Sequence, residues 1–292
     1  MKTKAVQTLF PPARPHMVGD GFRVHNFFPS GYRIGNQRMS PFFMLDYGAK
    51  TIIPPSEHRR GVGAHPHRGF ETVTIAYHGS VEHHDSAGNG GIIREGDVQW
   101  MTAGAGILHK EYHEKEFSQK GGPMQMVQLW VNLPAKDKMT PPKYQGLMKE
   151  NMGRVVLPNG SGEVEIIAGE YEGVKGPAST FTPVQVYNAK LKSGGKATFT
   201  FPAHYNTAIL VVEGNVQVNV TSTLPLDHFA LFENEGEEIL VEANEESVFL
   251  VLSGEPIDEP VATYGPFVMN TQAEIYQAIE DFNAGKFGSL ED

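Results

Sequence analysis

Apolar residues recur at every second position along most of this chain, and that period restricts its fold more than any other feature. Phe199 and Phe201 alternate with Thr198 and Thr200, and Val216, Val218 and Val220 alternate with Gln217 and Asn219. Successive side chains of a strand point to opposite faces, so this period marks strands with one buried face. Turn-forming clusters cut the runs at short intervals: Asp85–Gly91 (DSAGNGG), Pro158–Gly162 (PNGSG) and Lys192–Gly195 (KSGG). Many short strands punctuated in this way predict an all-β sandwich or barrel. One segment near the end departs from the period. Asn270 or Thr271 is placed to cap a helix whose Ile275, Ala278, Ile279 and Phe282 form a stripe at helical spacing, and Gly285 is placed to end it. A short C-terminal packing helix is expected there.

At roughly 150 residues per domain, 292 residues make about two domains. The polar stretch Pro134–Gly146 (PAKDKMTPPKYQG) carries three prolines and reads as the boundary, giving expected domains of 1–138 and 139–292. The two halves look like distant copies. Ile75–Gly79 (IAYHG) and Ile209–Gly214 (ILVVEG) each end an apolar strand on a glycine that opens a turn. If Gly79 and Gly214 are equivalent, two barrels of similar build follow.

Acidic side chains outnumber basic ones 34 to 24, for a formal net charge of -10. Nucleic acids and anionic membranes demand a basic footprint, so neither is an expected partner. Cysteine is absent. That excludes disulfides, cysteine-bound iron–sulfur clusters and zinc fingers, and a thiol nucleophile; it also fits a reducing cytosol. The longest apolar runs, Ala208–Val212 and Val248–Leu252, are five residues each, where a membrane helix needs about 20. The N-terminal MKTKAVQTLFPPARP has no apolar core of the kind a secretory signal uses, so a cytoplasmic protein is expected. No HExxH, GxSxG or GxxxxGK[ST] sequence occurs.

Eight of the 12 histidines fall between His58 and His113. His65-Pro66-His67 sets two imidazoles at i and i+2, which share a face in an extended chain. Pro66 lacks a backbone donor, so the pair belongs at a strand start or edge. His109-Lys110-Glu111 repeats the spacing on a later segment. Two strands offering two ligands each can close on one ion with three imidazole nitrogens and one carboxylate oxygen, a set that suits first-row divalent metals. Four protein ligands on a six-coordinate ion leave open positions, which favours chemistry over a structural role. His83 and His84 precede the glycine-rich turn and read as a solvated hairpin end. His113, at i+4 from His109, could stand behind the ligands, although an ordinary buried histidine is the favoured reading. His16, His25, His204 and His228 are isolated and read as ordinary residues.

His65–Val73 (HPHRGFETV) resembles the first signature of the pirin family, within the cupin superfamily. Gly96–His109 (GDVQWMTAGAGILH) resembles the second, and Gln128–Leu133 (QLWVNL) and Gly265–Thr271 (GPFVMNT) are similar to further family sequences. The resemblance implies a bicupin, two tandem jelly-roll-type cupin barrels, with a metal in the N-terminal barrel only. Its implied ligands are His65, His67, His109 and Glu111. Glu71 stands where many other cupins place their carboxylate ligand, and spacing does not decide between the two glutamates. The implied cofactor is one divalent ion, Fe(II) foremost; zinc, manganese, nickel, cobalt and copper fit the same donors. Superposing Gly214 on Gly79 puts Thr200, Pro202 and Asn206 at the places of His65, His67 and Glu71. The second barrel is therefore expected to hold no metal.

The implied activity is that of a quercetin 2,3-dioxygenase: O2-dependent opening of a flavonol heterocycle with release of carbon monoxide. The metal would act as Lewis acid and template, and Glu111 would also accept the flavonol hydroxyl proton. Within Met124–Leu133 (MQMVQLWVNL), one face holds Met124, Met126, Gln128, Trp130 and Asn132. Soft apolar groups with two amides suit a flat aromatic ligand, and they equally suit a packed core. The resemblance also carries an alternative: an iron-binding regulatory protein that works through a protein partner, a transcription factor or a metabolic enzyme, with incidental flavonol activity. A different oxygenase substrate is a third reading.

Overall fold

The computed structural model describes residues 2–291. Its contacts form two compact units, Arg14–Asn36 with Phe42–Lys149 and Ile257–Asp292, and Met1–Ala13 with Gln37–Pro41 and Glu150–Pro256. Each is a two-sheet antiparallel barrel of the jelly-roll kind expected, so the fold is a bicupin.

In the first unit, a seven-stranded sheet runs Lys143–Leu147, Val98–Thr102, Phe70–His78, Gly122–Asn132, Phe42–Ile53, Phe22–Phe28, His16–Val18. A four-stranded sheet runs Gly61–His67, Ile107–His113, Val81–Asp85, Gly90–Ile93. Phe22, Val24, Ala76, Met124 and Met126 of the larger sheet pack with Val81 and Ile93 of the smaller one. The second unit repeats this build, with seven strands beginning at the edge strand Val6–Phe10 and four beginning at Lys196–Thr200. Its interior is filled with apolar side chains, among them Tyr187, Phe199, Phe201 and Phe249. Strands Phe70–His78 and Asn206–Glu213 both stop at a left-handed glycine, Gly79 at φ 86° and Gly214 at φ 73°. A side chain at either place would be strained.

The contact division differs from the expected cuts at residue 138 in three places. Lys143–Leu147 pairs with Val98–Thr102, so the first barrel continues through the polar stretch. The first strand of the chain, Val6–Phe10, pairs with Phe229–Phe232 and covers an edge of the second barrel's larger sheet. Ile257–Asp292 belongs with the first barrel, where the backbones of Arg68 and Phe267 form a bridge. These are long-range pairings, and composition does not encode them. The alternation at Val216–Val220 also stops early. The strand ends at Val218, and Asn219 and Val220 turn with φ 49° and 64°.

The C-terminal helix spans Gln272–Asn283. Thr271 caps it, accepting from the Glu274 amide while the Glu274 carboxylate accepts from the Thr271 amide. Ile275 and Ala278 are buried against Phe267 and Met269, and Gly285 follows at φ 74°. No helix among the described residues is long and apolar enough to cross a membrane.

Candidate metal centre

The centre forms where Gly61–His67 pairs antiparallel with Ile107–His113. His65 stands opposite His109 and His67 opposite Ile107. Along Ile107–His113 the odd positions Ile107, His109, Glu111 and His113 are buried and the even ones are less so. The period-two expectation therefore holds across the HKE segment. The register slips between His109 and Glu111, which pairs with Val62. One extra residue on the partner strand makes a bulge, which re-aims the side chains around it.

Donor atoms of His65, His67 and His109 lie within 4.8 Å of one another, and that group does not include Glu111. The three rings are edge-to-face or tilted, with centroids 4.2–4.8 Å apart. A backbone neighbour fixes the tautomer of His65. His65 Nδ1 lies 2.8 Å from the carbonyl oxygen of Gly63, so it carries the proton and leaves Nε2 as the donor. His67 hydrogen-bonds the Pro266 backbone, and its Nδ1 is buried with no partner among the described residues. His109 Nδ1 lies 3.1 Å from His83 Nε2, and its Nε2 is likewise buried and unpartnered. Burial and then the neighbouring imidazoles hold His67 and His109 well below the usual histidine range; His65 is lowered by burial. All three are neutral, the form that binds metals. Buried orphan nitrogens are costly without a partner, and a divalent cation fits this donor chemistry.

Glu111 is buried, and burial pushes its carboxyl up to about 7 against the opposing Thr74 hydroxyl. Thr74 Oγ1 is 3.3 Å from Glu111 Oε1 and 2.7 Å from Gln128 Oε1. Glu71 lies an odd number of residues from Thr74, so it takes the opposite face of its strand. It accepts from Thr102 Oγ1 at 2.7 Å. Glu71 is thus turned away from the histidines. His113 is a structural residue, hydrogen-bonded to Gly21 O at 2.9 Å and packed on Phe22 and Phe117.

Two features differ from the sequence expectations. His83 is fully buried at the centre, whereas His84 is exposed; the signal was the alternation Val81, His83, Asp85, which marks a buried face. The face of Met124–Leu133 is divided among three tasks. Trp130 packs edge-on against His67 at 5.3 Å and stacks on Phe70 at 4.2 Å, with Phe43 beyond it. Met124 and Met126 fill the core, and Asn132 Oδ1 accepts from Lys138 at 2.7 Å.

Two family profiles match the chain: Pirin over residues 21–131 and the Pirin C-terminal cupin domain over residues 186–288. A Pseudomonas aeruginosa protein provisionally named a quercetin 2,3-dioxygenase is 49% identical over 284 residues, 97% of this chain and 98% of its own length. The pirin-like protein of Solanum lycopersicum is 40% identical over 94% of this chain and 90% of its own. The crystal structure of a quercetin 2,3-dioxygenase from Acinetobacter baumannii, 50% identical, superposes with a TM-score of 0.93 and covers 99% of this chain and 100% of that one.

Proposed function

The chain belongs to the pirin family, and from that membership and its histidine cluster we propose that it is a mononuclear metal dioxygenase opening flavonols of the quercetin type in the cytoplasm. The observation that carries the reading is the convergence of three neutral imidazole donors within 4.8 Å, two of them with buried nitrogens that have no partner among the described residues. His65, His67 and His109 would hold the ion, with Glu111 as the fourth ligand. A bound first-row cation, Fe(II) foremost, supplies a Lewis acid that eases ionisation of the flavonol hydroxyl and a template for O2.

The chain's own groups do the rest. Trp130, with Phe70 and Phe43 behind it, offers a flat aromatic wall beside His67 that favours a planar ring system. Glu111 takes the hydroxyl proton on its carboxylate, which is buried beside the Thr74 hydroxyl. Gln128, tied to Thr74, orients polar groups of the substrate.

Quercetin turnover with carbon monoxide detection, run with and without O2, tests this. Saturable, O2-dependent carbon monoxide release that stops on chelation is expected. Glu111→Gln is expected to lower kcat by roughly 10²–10⁴. Quercetin loss without carbon monoxide, or with no need for metal, contradicts the proposal; full turnover in Glu111→Gln moves the proton acceptor elsewhere.

A further inference from the structure

His83 is fully buried beside the three imidazoles, and nothing in the proposed reaction uses it. Its strand, Val81–Asp85, pairs with Ile107–His113 so that His83 faces Glu111 and its neighbour Asp85 faces His109. From that diagonal place His83 Nε2 reaches to 3.1 Å from His109 Nδ1. The Tyr144 ring stacks on His83 at 5.4 Å and 16°, which fixes the plane of the imidazole.

A neutral imidazole has one ring proton, and the nitrogen that binds a cation is the one without it. For His65, the carbonyl of Gly63 decides the matter, at 2.8 Å from Nδ1. His109 has an imidazole in that place instead of a backbone oxygen. From this we infer that His83 is a positioning residue that accepts the Nδ1 proton of His109 and so holds His109 Nε2 as the donor to the cation. The inference rests on the three-imidazole metal reading. Acceptance at Nε2 obliges His83 to keep its own proton on Nδ1, an atom that is itself buried and unpartnered among the described residues. Both rings are therefore Nδ1-protonated when the cation is bound.

The test uses Co(II) affinity, measured by competition with a chelator, and the tautomers of the Zn(II)-loaded protein, read from long-range ¹H–¹⁵N correlations. His83→Phe keeps the ring and its stacking on Tyr144 while removing the acceptor; His83→Gln keeps an acceptor. His83→Phe is expected to weaken Co(II) binding about 10–100-fold, the usual effect of losing a partner behind a ligating histidine. His83→Gln is expected to recover most of that loss. In the unaltered protein the correlations are expected to report His83 and His109 as Nδ1–H. Unchanged Co(II) affinity in His83→Phe, or a His109 protonated at Nε2, overturns the inference while leaving the metal reading standing. Failure of the unaltered protein to bind Co(II) overturns both.

Discussion

His67→Ala is expected to strip the protein of its metal and of flavonol turnover together. His67 is buried, is neutral, and presents an Nδ1 that has no partner among the described residues. Its removal takes one of three clustered imidazole donors, which leaves two imidazoles and the Glu111 carboxylate to hold a divalent ion against water. The loss of affinity should exceed the roughly 10–100-fold that follows from losing a partner behind a ligand. After dialysis, elemental analysis is expected to find about one equivalent in the unaltered protein and below about a tenth in the variant. His67 touches the larger sheet through the Trp130 and Phe70 rings, and the strand pairing of that sheet does not use its side chain, so the variant is expected to fold, as circular dichroism would check. Unchanged metal content in a folded His67→Ala would remove His67 from the ligand set.

The second large effect is on stability. Lys138 is 1% exposed, and its ammonium donates to Gly69 O at 2.8 Å, Asn132 Oδ1 at 2.7 Å and Val268 O at 2.8 Å. Three donors meet three acceptors. They tie the segment after His67 to the end of the Gly122–Asn132 strand and to the C-terminal region. Lys138→Met keeps the apolar stem and leaves three buried acceptors bare. Each unsatisfied group costs about 1–3 kcal/mol; with some relaxation, a loss of about 3–5 kcal/mol is expected in urea unfolding.

The pH dependence has a definite sign. Burial brings Lys138 from its ordinary 10.5 down to about 7, with Glu259 and Glu274 opposing. Between those values the unfolded chain binds more protons than the folded one, so this group makes the fold more stable as pH rises through that window. Lys138→Met lacks the slope, and its deficit should widen from about pH 7 toward pH 10. A deficit below about 1 kcal/mol, or one that narrows with pH, contradicts this account.

Lys138 also shows why part of the fold was hidden. In the sequence it sits in a polar, proline-bearing stretch that reads as a linker; only the three-dimensional meeting of Gly69, Asn132 and Val268 makes it a core residue. The edge strand Val6–Phe10 and the segment from Ile257 onward were hidden for the same reason, because their partners lie far away in sequence. What was legible rested on local geometry. Period two placed His65 with His67 and His109 with Glu111 on shared faces. Gly79 and Gly214 marked two like turns, and Thr271 with Glu274 marked the helix start. The choice between Glu71 and Glu111 was not legible from spacing, and alternation against Thr74 turns Glu71 away. The bulge between His109 and Glu111 had no local signal, and His83 was masked by the exposed His84 beside it.

X-ray absorption at the zinc edge, on protein carrying one equivalent of Zn(II), is the most direct measurement of the centre. Three imidazole nitrogens clustered on one ion predict nitrogen scatterers at about 2.0–2.1 Å, with the outer-shell scattering of intact imidazole rings that fades in His67→Ala. An oxygen-only shell without ring scattering, or zinc that washes away on dialysis, would contradict the claim.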